Sequence, residues 1–114
     1  MRYQLLAALT ASALATAFAG DALAGGSLAR PATKSERAAI MKSFLANDGS
    51  SSGVDGVYVS RANTSLAVVC RRTPEAGVRA YVFGRTHSSW HYLTSGSPGR
   101  AGSPTDRRLE RACP

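Results

Sequence analysis

The chain has 114 residues, with 14 Lys and Arg against seven Asp and Glu, a formal net charge of +7. This length leaves room for one small domain and little wall for a deep catalytic pocket. The positive charge favours anionic partners over cationic ones and says nothing about an active site.

The first residues, "MRYQLLAALTASALATAFAGDALAGG", set Arg2 before an uncharged apolar run over 5–19 and end in small residues. That is the layout of a secretory signal peptide, expected over 1–24 with cleavage before Gly25. An earlier cut after Ala19 and a retained anchor are the alternatives, and the run falls short of the roughly 20 residues a membrane span needs. Cleavage would leave about 90 residues, secreted or periplasmic. Arg2 and Asp21 cancel, so the whole +7 stays with that portion. Residues 25–32 read as a flexible tether, and 33–114 as a single small domain.

Thr33 and Glu36 form a T-x-x-E capping box at the start of a helix expected over about 34–46. Ile40, Met41, Phe44 and Leu45 recur on one stripe, and Gly49 suits a left-handed cap. "GSSSG" (49–53) is a joint.

Four β-rich runs follow, at 54–60, 65–72, 78–85 and 90–95, joined by short turn-forming segments. Short connectors favour an antiparallel meander. Alternation puts Leu66, Val68 and Cys70 on one face, and Ala67, Val69 and Arg71 on the other. It separates Val78, Ala80 and Val82 from Arg79, Tyr81, Phe83 and Arg85. The purely aliphatic face is the expected seat of the helix. The Arg and aromatic face is expected to stay half exposed.

After the loop "GSPGRAGSP" (96–104), Ser103 caps, Pro104 suits the first helical position and Asp106 the positive helix start. A short helix over about 105–112 follows, with Leu109 and Cys113 on one side. The fold class is therefore α+β: one N-terminal helix packed on a four-stranded antiparallel β-meander, with a short C-terminal helix tied by a disulfide.

Cys70 and Cys113 are the only cysteines, and in an exported domain they most simply form that bridge. Two free thiols and a redox pair are the alternatives, though redox cysteines are usually close in sequence. A bridge would close a loop of about 44 residues, for which the chain-entropy model gives roughly 4 kcal/mol.

No motif of enzymatic chemistry is present. His87 and His91 flank an expected turn with no acidic residue nearby in sequence, short of the three ligands a catalytic zinc takes. There is no G-x-S-x-G elbow, and the six acidic residues after the signal form no evident pair. No cofactor or metal is expected.

The binding candidates are Arg71, Arg79, Tyr81, Phe83 and Arg85, arginines interleaved with aromatics on adjacent strands. Arg107, Arg108 and Arg111 form a second basic cluster, which a bridge would bring beside the sheet. The expected partner is an anionic polymer, an anionic envelope surface or an acidic protein. Export and the lack of an RNP signature argue against nucleic acid. "NTS" (63–65) matches a glycosylation sequon at Asn63.

The helix "ATKSERAAIMKSF" (32–44) and the run "SSWHYLTSGSPGR…SPTDRRLERACP" also carry a resemblance. With Trp90, Gly96, Ser97, Pro104, Leu109 and Cys113 in place, the chain resembles small exported proteins of actinobacterial type. It departs from them in having no cysteine soon after Gly96-Ser97. The resemblance implies export and a disulfide, and carries over no active site.

Three functions are then in view. The first is a non-enzymatic binding module with a basic surface. The second is a secreted inhibitor of an extracellular hydrolase, presenting the loop at 72–78 or at 96–104. The third is a small enzyme built on His87 or His91.

Overall fold

The computed structural model describes residues 28–114. The expected signal peptide, 1–24, and the start of the expected tether lie outside them. The described elements run β1 (Ala29–Pro31), α1 (Lys34–Asp48), β2 (Val54–Ser60), β3 (Leu66–Thr73), β4 (Gly77–Thr86), β5 (Ser89–Gly96) and α2 (Pro104–Glu110). The strands form one antiparallel sheet in the order β1-β2-β3-β4-β5. No described helix is long and apolar enough to cross a membrane.

The α+β class and the meander hold, but the sheet has five strands and not four. The fifth lies inside the segment read as a tether. Ala29, Arg30 and Pro31 pair with Ser60, Val59 and Tyr58, so the domain begins before residue 33. β1 escapes sequence reading because it is three residues long and ends in proline, which suits only an edge strand.

Both helices start as their capping residues dictate. The Thr33 hydroxyl accepts the Glu36 N–H while the Glu36 carboxylate accepts the Thr33 N–H. Ser103 and Asp106 repeat the arrangement at α2, with Pro104 just inside. α1 runs two residues past the expected end, to Asp48. Gly49 (φ 85°) then donates its N–H to the Leu45 carbonyl.

The helix seating differs from the expectation. α1 lies on the face carrying Val57, Val59, Ala67, Val69, Tyr81, Phe83 and Trp90, into which it buries Ile40 and Phe44. Leu45 stays 41 % exposed. The aliphatic face of Val68, Cys70, Ala80 and Val82 is covered by α2 through Leu109 and Cys113. Cys70 and Cys113 are joined, with Cα atoms 5.4 Å apart. The bridge explains the seating. Cys70 points to the aliphatic side, so the bridge holds α2 there and the other side is left for α1. That side also offers more area, because aromatic rings bury more surface than Val and Ala.

Candidate functional site

The five binding candidates do not make an open platform. Phe83 is fully buried and Tyr81 is 9 % exposed. Their rings meet Phe44 of α1 edge to face, at centroid distances of 6.3 and 5.1 Å. The half-exposed aromatic face expected from the sequence is thus part of the core. The reason is that α1 needs the deep face for its own Phe44 and Ile40.

The three arginines of the set have separate surroundings. Arg71 forms an ion pair with Asp48 at the end of α1, and its guanidinium lies 6.0 Å from the Phe44 ring centroid. The Asp48 carboxylate raises the Arg71 pKa further, so this cation is permanent. Arg79 stands directly opposite Arg71 and is half buried. Two like charges face each other there, and Asp48 offsets one of them. Arg85 is exposed, with its guanidinium 5.5 Å from the Trp90 ring centroid across the β4–β5 pair.

The histidines do not meet a ligand set. His87 holds the first central position of the two-residue turn between Thr86 and Ser89, at φ 59°. His91 is exposed opposite Gly84. Among the described residues no group of three or more His, Cys, Asp or Glu is placed to hold a metal ion.

The second basic cluster is better assembled than the first. α2 sits on the sheet through Leu109 and the bridge, and its arginines face outward. Arg108 and Arg111 are exposed, and Arg107 is half buried. Arg100, on the preceding loop, is exposed as well. Sequence reasoning missed what builds this surface, which is Glu110. Its carboxylate is fully buried, and one oxygen accepts the N–H groups of Gly99, Arg100 and Ala101 at 2.8, 3.1 and 3.2 Å. Successive amides turned toward one oxygen form an anion-binding concavity, here filled by the protein's own acid. Gly99 (φ 79°) permits the turn, and a Cβ there would come within 3.2 Å of the Arg111 Nε. The available signal was a lone acid within "RRLER", next to a leucine and about two turns beyond a glycine-rich loop.

The acids near these arginines are therefore spent internally. Asp106 accepts the Ser103 N–H, and Glu110 holds the loop. Among the described residues the ion pairs are Arg30–Glu36, Arg71–Asp48 and Arg72–Asp55, all away from α2. No family model, no curated protein and no solved structure matches the chain.

Proposed function

We propose that this protein is an exported, non-enzymatic binding module whose basic α2 surface takes an anionic polymer or an acidic protein. One observation carries the reading: Arg100, Arg107, Arg108 and Arg111 crowd one anchored unit whose acids, buried Glu110 and capping Asp106, are engaged with backbone amides. Four positive charges there outnumber the Asp106 and Glu110 carboxylates of the same unit, and the surplus raises the concentration of anions at that surface. The bridge and the Glu110 anchor order the surface beforehand, which lowers the entropy lost on binding.

Retention on immobilised heparin tests it. Wild-type protein is expected to elute at a salt concentration well above that of a variant with Arg100, Arg107, Arg108 and Arg111 all changed to Ala. A variant carrying Arg79→Ala and Arg85→Ala should elute nearly with wild type. Losses in proportion to the charges removed, four against two, would show that net charge, and not the α2 surface, does the binding.

One feature favours a second reading, inhibition of an extracellular hydrolase. The loop 97–102 is held by Glu110 beside a disulfide-tied helix and carries exposed Arg100. A rigid exposed loop with a basic side chain suits a protease that cleaves after arginine. Stoichiometric inhibition lost in Arg100→Ala would support this reading, and simple digestion at that loop would end it.

A further inference from the structure

On the opposite side of the sheet from α2, a groove of about 370 Å³ runs between α1 and the β4–β5 turn. Its α1 wall is Ala39, Lys42, Ser43 and Ala46, and its hairpin wall is Ser88, Ser89 and Trp90. The volume is within the usual range for small-ligand sites, about 300–1,000 Å³. The groove exists because α1 presents alanines where it passes the turn. Ser43 fixes the two walls together by donating its hydroxyl to the Trp90 carbonyl at 2.9 Å.

Three other polar groups of the lining are free for a ligand. Lys42 has no ion pair, and the Ser88 and Ser89 hydroxyls have no hydrogen-bond partner within the described residues. Arg85 lies outside this lining, with its guanidinium over the Trp90 ring at 5.5 Å.

We propose that this groove binds a carboxylated sugar unit. Lys42 calls for an anion, two unpartnered hydroxyls call for a hydroxyl-bearing ligand, and Ala39 and Ala46 supply apolar wall for a ring's carbon face. A uronic acid unit within an acidic polysaccharide has all three properties. The site uses none of the α2 arginines, so it stands or falls separately from the reading above.

Trp90 is the only tryptophan in the chain, so its fluorescence reports this groove directly. The probe is a trimer of α-1,4-linked galacturonic acid, titrated into the purified protein. A saturable fluorescence change is expected. Lys42→Glu should weaken the apparent Kd at least tenfold. Ala46→Leu, at an exposed helix position that tolerates the larger residue, should abolish the response by filling the groove, with its melting curve confirming the fold. The variant lacking Arg107, Arg108 and Arg111 should respond as wild type. The proposal is overturned by no saturable change, by an unchanged response in both groove variants, by loss only in the α2 variant, or by equal binding of the neutral galactose trimer.

Discussion

On one face of the sheet, a helix of fifteen residues buries Ile40 and Phe44 among Val57, Val59, Tyr81, Phe83 and Trp90. On the other, a helix of seven residues offers Leu109, with Cys113 just beyond its end, to Val68, Cys70, Ala80 and Val82. The first face is closed chiefly by apolar area, with the Ser43–Trp90 hydrogen bond and the Arg71–Asp48 and Arg30–Glu36 ion pairs beside it. To the burial of Leu109 the second face adds a covalent bond, and a buried carboxylate grips three backbone amides of the loop that leads into the helix. An isolated helix this short is marginal in water, so α2 holds its place through its anchors. The comparison locates most of the core on the α1 side and a surface pinned by a few specific bonds on the α2 side.

The largest test of that division is Phe44→Ala. The ring is fully buried between Tyr81, Phe83 and the Arg71 guanidinium. Its removal should cost about 3–5 kcal/mol, through lost transfer energy and a cavity. Urea denaturation would show the whole domain weakened. A loss below about 1 kcal/mol would mean that the α1 face is not the principal core.

Replacing both Cys70 and Cys113 by Ala should cost less, about 2–4 kcal/mol. The pattern of the loss matters more than its size. Amide exchange should accelerate first over 97–113, where α2 and its loop have few other anchors, while α1 stays protected. Uniform acceleration over both helices would show that the bridge supports the whole fold and not one face.

Much of this architecture is legible in the sequence, and its failures have physical causes. The caps at Thr33 and Ser103, the glycine stop at Gly49 and the four longer strands are local signals, and each appears where the residues place it. Facing was also legible in part, since alternation separates Cys70 from Arg71. What alternation cannot say is which helix covers which face. That depends on where the bridge holds α2, a contact between positions 43 apart in the chain. Tyr81 and Phe83 then follow α1 into the core, and the proposed platform goes with them. β1 was hidden by its brevity. Glu110 was hidden because a buried acid within an arginine run has no local signature, and only the folded loop shows the amides it serves.

Glu110→Ala probes the second anchor of α2. It leaves the N–H groups of Gly99, Arg100 and Ala101 without their acceptor, at a cost of about 1–3 kcal/mol. Faster exchange should be confined to 97–113, as for the cysteine variant. Glu110→Gln keeps an acceptor oxygen and should lose less. If the alanine variant loosens α1 equally, the two faces are coupled more tightly than their separate anchors imply.

The smallest effect concerns the rim of the α1 face, where Glu36 joins β1 to α1. Its carboxylate accepts two hydrogen bonds from Arg30, at 2.7 and 2.9 Å, and another from the Thr33 amide. The Arg30 guanidinium, followed by the Thr33 N–H, holds the acid down at about 2 against an ordinary 4.5, although partial burial pulls the other way. A depressed carboxylate pKa means that the folded state favours the charged form. Its stabilising contribution is therefore complete above about pH 4.5 and is lost progressively as pH falls toward 2. Partial exposure of the pair keeps the contribution modest. Wild-type stability should fall relative to Glu36→Gln across that window, with the difference nearly constant above it, as read by denaturant midpoints at several pH values. Because the glutamine also disturbs the cap, the slope and not the offset carries the test. Parallel curves would show that the link between β1 and α1 owes its strength to the cap and the sheet pairing, with the ion pair contributing nothing measurable.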